Sequence, residues 1–154
     1  MQRQAYVAVV GPGDATSQET DAAEAVGREL AQRGAIVVCG GREGVMAAAC
    51  RGAQALGGLT VGLLPGTDRA EGNDWLTVSI PTGLGELRNG LVVRAADAVV
   101  AIGGAYGTLS EIALALKTGV PVVGLDTWPI EGIEIANSPG AAVARAIELV
   151  QPRT

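Results

Sequence analysis

Three short apolar runs that stop at glycine constrain this chain most: "YVAVVG" at 6–11, "AIVVCGG" at 35–41 and "AVVAIGG" at 98–104. None alternates with polar residues. Each therefore suits a strand buried on both faces, which is the mark of a parallel sheet. Helical patterns lie between them. In 16–32, Thr16 and Glu19 have capping-box spacing, Val26 and Leu30 sit one turn apart, and Gly34 is the natural stop. Residues 45–56, 86–96, 108–118 and 139–150 also read as helices. The third carries Leu87, Leu91 and Ala95 on one face, and the fourth places Leu109, Ile112, Ala113 and Leu116 at i, i+3, i+4, i+7. "LTVGLLPG" at 59–66, "LTVSIPT" at 76–82 and "VPVVGLD" at 120–126 complete the strands. The polar stretch 67–74 reads as a mobile surface loop. Strand–helix alternation of this kind predicts an α/β fold: a single doubly wound Rossmann-like domain over 1–154, with about six or seven mostly parallel strands covered on both faces. The chain is too short for an eight-stranded α/β barrel.

Composition narrows the chemistry. The chain of 154 residues has a formal charge of −5 and no histidine, so a histidine base, a Ser-His triad and a histidine-ligated metal are excluded. Acidic residues do not cluster, and neither a metal nor a resident cofactor is expected. The basic residues are scattered, which argues against a nucleic-acid partner. No run approaches the roughly 18 apolar residues of a membrane span, and no signal-peptide core follows Arg3, so a soluble cytoplasmic protein is expected. Cys39 and Cys50 read as reduced, buried thiols.

Candidate function gathers at three glycine turns: "GPGD" at 11–14, "GGREG" at 40–44 and "GGAYG" at 103–107. Ligands of open parallel sheets bind beyond the carboxyl ends of the strands, where a helix N-terminus offers free N–H groups to an anion. None of the turns is a dinucleotide fingerprint or a P-loop. The candidate phosphate- or nucleotide-binding positions are Gly11, Gly13, Gly40, Gly41, Gly44, Met46, Asn89, Gly103, Gly104, Ala105, Tyr106, Gly107 and Thr108. Tight turns or helix–strand packing would explain the glycines of 11–13 equally simply, whereas at 103–107 the accompanying Thr108 and Glu111 favour function. Arg88 and Glu111 are the candidate catalytic pair. Glu111 has a plainer reading as the second half of a Thr108 capping box, and Arg88 as a solvated charge beside Glu86. Asn89-Gly90 breaks helix propensity early in its helix, a place where function is expected.

The segment "ELRNGLVVRAADAVVAIGGAYGTLSE" resembles the core of the cytokinin-activating "lonely guy" phosphoribohydrolases, long mislabelled lysine decarboxylases. That family carries an Arg-Lys pair and, 23 residues later, the glutamate of a PGGxGTxxE motif; Arg88 and Glu111 keep this step, and "GGREGVM" is similar to the family's GGGxxGLM turn. Gly103 stands for the motif's proline, Ala105 for its second glycine, Asn89 for the lysine of the pair and Gly85-Glu86 for its preceding Met-His. In these departures the chain looks like the superfamily's short relatives, the molybdenum cofactor carrier proteins among them. A pyridoxal decarboxylase is disfavoured on its own terms, since the one lysine, Lys117, lies at the far end of its helix.

The resemblance implies a phosphate-binding protein that cleaves the N-glycosidic bond of a nucleoside 5'-monophosphate. In that reading Glu111 stabilises the ribosyl cation and orients water, and Arg88 holds Glu111 or a ligand oxygen. The alternative is a non-catalytic nucleotide or molybdenum cofactor binding or carrier protein. The implied partner is a nucleoside monophosphate or another phosphorylated small molecule. A homodimer or higher homo-oligomer is implied too, its site completed by the partner subunit. Loops 67–75 and 127–138 are the expected source of ring-recognising residues, with Trp75 and Trp128 read as loop fillers.

Overall fold

The structure, a computed structural model that describes residues 3–150, is organised by one fully parallel sheet. Its strands are β1 (Tyr6–Val10), β2 (Ile36–Cys39), β3 (Thr60–Leu64), β4 (Val78–Pro81), β5 (Ala98–Ile102), β6 (Val122–Leu125) and β7 (Glu134–Ile135). Their order is β4-β3-β2-β1-β5-β6-β7. The helices are α1 (Ser17–Gln32), α2 (Val45–Ala55), α3 (Arg88–Arg94), α4 (Tyr106–Thr118) and α5 (Pro139–Leu149). Alternate residues of the central strands β1, β2, β5 and β6 feed two separate cores. Val7, Val9, Val37, Val100 and Val123 pack with α1, α2 and α5. Ala8, Val10, Val38, Val99 and Val122 pack with α3 and α4. Both faces are thus covered, and the expected doubly wound α/β fold is present.

Local signals read from the sequence explain several boundaries. The Thr16 hydroxyl accepts from the Glu19 amide at 3.1 Å, and the Glu19 carboxylate accepts from the Thr16 amide at 2.9 Å, so α1 begins at the expected capping box. It ends before Gly34, which adopts φ +70°. Other expectations are corrected. The β6–α5 connection contains the two-residue edge strand β7. Loop 67–74 is not a free surface loop. It holds a 3-10 turn at Arg69–Glu71, and buried Asn73 ties it to the turn after β2 through two hydrogen bonds of 2.9 Å, to the carbonyls of Gly41 and Arg42. The helix expected over 86–96 starts as a 3-10 turn (Gly85–Leu87) and becomes α3 only at Arg88. Asn89, Val92 and Val93 form its inner face, while Leu87 and Leu91 are exposed. Burial of the adjacent Val92-Val93 pair against the sheet sets this phase.

Helices α1 and α2 cross at glycine. A Cβ on Gly27 would lie 2.0 Å from the Ala49 carbonyl oxygen, and one on Gly52 would lie 2.0 Å from that of Glu24. The contact is reciprocal and made by backbone, so neither side can yield by rotating a side chain. Among the described residues no helix is long and apolar enough to cross a membrane. Gly27→Ala should lower stability by about 1–3 kcal/mol, the usual cost of overpacking. Urea unfolding reads this as a lower midpoint at unchanged slope; an unchanged midpoint would refute the close crossing.

Candidate functional site

Two neighbouring strands, β1 and β5, send the chain to opposite faces of the sheet: β1 leads to α1, and β5 to α4. A crevice opens above their carboxyl ends, as the switch-point rule requires. It is a cleft of about 720 Å³, within the range of small-molecule sites. Val9, Val10, Gly11, Pro12 and Gly13 form one wall, Gly40 and Met46 a second, and residues 86–90 a third. Ala105, Tyr106, Gly107, Thr108, Ser110 and Glu111 form the fourth.

Of the residues singled out in the sequence, Gly11, Gly13, Gly40, Met46, Arg88, Asn89, Ala105, Tyr106, Gly107, Thr108 and Glu111 line this cleft. Gly41, Gly44, Gly103 and Gly104 do not. The first three have positive φ and serve turns under tight packing: an added Cβ would meet Leu64 from Gly41, the Pro12 carbonyl from Gly44 and the Glu19 carboxylate from Gly103. Gly104 lies against Trp128. Gly40 has a more specific reason to lack a side chain. A Cβ there would sit 2.7 Å from Arg88 Nη2, so the guanidinium can lie across the turn only over glycine. Pro12, Pro65, Glu86, Leu87, Gly90, Ser110 and Leu114 also line the cleft and were not read from the sequence. Pro12 and Gly90 carried a signal, as parts of the quoted "GPGD" and "NG" irregularities.

Helix α4 begins two residues earlier than expected. Its N-cap is Ala105, which has no side chain to cap it. Thr108 is therefore the third helical residue and Glu111 lies in the second turn, so the capping-box reading of Thr108 and Glu111 is corrected. The first amides of α4 lack carbonyl partners within the helix. Beside them the Thr108 hydroxyl is buried, with the residue 1 % exposed, and makes no hydrogen bond. An orphaned buried hydroxyl carries a cost that a ligand oxygen would relieve.

Arg88 is not a solvated charge. Its Nε donates to the Leu63 carbonyl at 2.9 Å, Nη2 to the Gly40 carbonyl at 3.3 Å and Nη1 to the Asn89 side-chain oxygen. Asn89 continues the chain from its amide nitrogen to the Ser110 hydroxyl at 3.4 Å, which donates to the Gly107 carbonyl at 2.7 Å. The Arg88-Asn89 pair thus links three strand and helix ends. Glu111 is 7 % exposed and makes no hydrogen bond within the described protein. Burial pushes its carboxyl up to about 7, against the opposing pull of the Arg88 charge. Burial also lowers Arg88, opposed first by Glu111. The two share a field without a direct ion pair among the described residues.

Trp75 lies away from the cleft under the Arg51 guanidinium, 5.5 Å from its ring centre. Trp128 donates from its indole N–H to the Ala105 carbonyl at 3.0 Å and stacks on Tyr106. Cys39 and Cys50 are buried and free, their sulfurs 3.6 Å apart. Among the described residues no group of three or more His, Cys, Asp or Glu gathers as a metal-holding cluster. Among the described residues Glu111 is the one buried carboxylate of the cleft, and burial pushes its carboxyl up to about 7, so it can exchange a proton near neutrality.

The pH dependence of stability follows from Glu111. Its folded value of about 7 exceeds the ordinary 4.5, so the native state holds the proton more tightly. The associated stability is complete below about 4.5 and is lost as pH rises through 7. Glu111→Gln should therefore gain roughly 2–3 kcal/mol on the parent between pH 5 and pH 8. Urea unfolding at both pH values measures it, and an equal offset at the two would show that ionised Glu111 carries no cost.

Comparison with known proteins agrees with this architecture. A family model, the SLOG cluster4 family, matches residues 4–149. An uncharacterized protein of Archaeoglobus fulgidus is 38% identical over 138 residues, covering 89% of this chain and 91% of its own. The molybdenum cofactor binding protein of Rippkaea orientalis superposes with a TM-score of 0.92 at 34% identity, over 98% of this chain and all (100%) of its own. The molybdenum cofactor carrier protein of Chlamydomonas reinhardtii gives 0.86 at 34% identity, over 96% and 98%.

Proposed function

The chain belongs to the SLOG cluster4 family, and from that premise we propose that it binds a phosphorylated small molecule of the molybdenum cofactor class, as a carrier that leaves its cargo intact. The observation that carries this reading is the pairing of an uncapped α4 N-terminus with the orphaned Thr108 hydroxyl in one cleft wall. Three amides and one hydroxyl are a complementary set for the oxygens of a phosphate, and the helix dipole adds to them. The 34% identity to two proteins that bind or carry the molybdenum cofactor supports that class of cargo. Arg88 fits a carrier too, because each of its three nitrogens already donates to the protein, to Leu63, Gly40 and Asn89, where they brace the cleft.

A second reading, hydrolysis of a nucleoside 5'-monophosphate to free base and ribose 5-phosphate, is favoured by one observation. Glu111 reaches the cleft with no protein partner and titrates near 7. An ionised carboxylate there would stabilise an oxocarbenium-like sugar and orient water. The carrier reading instead uses the protonated form, which removes the repulsion between a carboxylate and a bound phosphate.

Calorimetry with molybdopterin cofactor, AMP and ribose 5-phosphate tests the cradle. Thr108→Val should weaken each about tenfold, the effect of one charge-assisted hydrogen bond. An unchanged affinity refutes the cradle. A bound phosphate raises Glu111 further, so binding should take up a proton at pH 7–8 and weaken as pH rises, by about tenfold per unit of that rise. Glu111→Gln should flatten the profile. Chromatography of AMP after incubation separates the two readings: intact AMP supports the carrier, and adenine released by the parent but not by Glu111→Gln supports the hydrolase.

A further inference from the structure

The largest exposed ring of the described protein stands at the mouth of this cleft. Tyr106 is 84 % exposed although it is the first residue of α4 and lines the cleft. An isolated tyrosine on a helix end would be free to rotate, but this one is braced. Trp128 stacks against it with ring centres 6.1 Å apart and planes 25° apart. The same indole is fixed by its hydrogen bond to the Ala105 carbonyl. Its neighbour Thr127 donates to the Gly103 carbonyl at 2.5 Å, so two successive loop residues grip the glycine turn on which α4 begins. The phenol thus has the indole on one side and is otherwise bare to solvent, and it lines the cleft. Tyr106 lies only two residues before Thr108, about 3 Å along the helix axis.

We propose that Tyr106, braced by Trp128, is a stacking platform for the heteroaromatic ring of the bound phosphorylated ligand, a purine or pterin. The proposal rests on the phosphate cradle of α4 and adds to it the recognition of the ring. Stacking suits this arrangement, because a flat face accepts any planar heterocycle and needs no exact hydrogen-bond match. Preorganisation by Trp128 removes the entropy that ordering a loose ring would cost. Trp128 acts through Tyr106 and is a positioning residue.

The test compares AMP with ribose 5-phosphate, which keeps the phosphate and sugar but has no ring. Calorimetry is done on the parent, Tyr106→Ala, Tyr106→Phe and Trp128→Phe, with light scattering as a check on assembly. Tyr106→Ala should weaken AMP about tenfold and leave ribose 5-phosphate within about twofold. Tyr106→Phe should restore AMP binding. Trp128→Phe should fall between, and AMP should quench the tryptophan fluorescence of the parent. Equal losses for the two ligands overturn the platform, as does no loss for AMP. A changed assembly with an unchanged AMP-to-ribose-5-phosphate ratio also overturns it and assigns the ring to a contact with a second copy. Thr108→Val separates the two claims. If it leaves both ligands unchanged while Tyr106→Ala weakens AMP alone, the cradle fails and the platform stands. If the parent binds neither ligand, both fail.

Discussion

The parting of β1 and β5 governs this molecule. The two strands are paired in register, Val7 beside Ala98 and Val10 beside Ala101, yet the chain leaves them toward opposite faces. No helix can cover the gap above both ends. A crevice must remain there, floored by the last residues of β1 and flanked by the N-terminus of α4. Small residues keep it open. Gly11 could not carry a Cβ without striking the Ile102 carbonyl and Val45, so the first turn has to be glycine to let α2 and β5 close around it.

Polar groups that are expensive to bury have been placed at this crevice and nowhere else on such a scale. Asn89, Thr108 and Glu111 are three of the five buried polar or charged side chains of the described residues, and all three line it. Arg88 and Asn89 bond each other and three neighbouring groups, so their burial builds a brace from β2 and β3 to α4. Thr108 and Glu111 are left without partners. Their combined cost is tolerated because the two cores on either side of the sheet are continuous and apolar, and it is the kind of cost a ligand recovers on binding.

Much of the fold was legible in the residues. Apolar runs without alternation need two covered faces, which made the parallel sheet readable, and Thr16 with Glu19 marked the start of α1 to the residue. The site was legible as a set of turns because glycine after a buried strand has few other uses. Elsewhere local pattern misled. Leu87, Leu91 and Ala95 make a tidy stripe, but Val92 and Val93 bury better against the sheet and turned that stripe outward. Thr108 and Glu111 have the spacing of a cap, yet the helix already runs at Tyr106, since nothing in Ala105-Tyr106-Gly107 opposes helical backbone strongly enough to delay it.

What the sequence determined alone was the order of elements, the absence of histidine chemistry and the 23-residue step from Arg88 to Glu111. Each is a property of composition or of separation along the chain. Which glycines line the cleft, which donors Arg88 spends on backbone, and why Glu111 titrates near neutrality were decided by tertiary structure. Burial and hydrogen-bond partnership are set by residues distant in sequence, such as Leu63 beneath Arg88 and Trp128 beside Tyr106. Desolvation and packing act through space, and no local spacing encodes them.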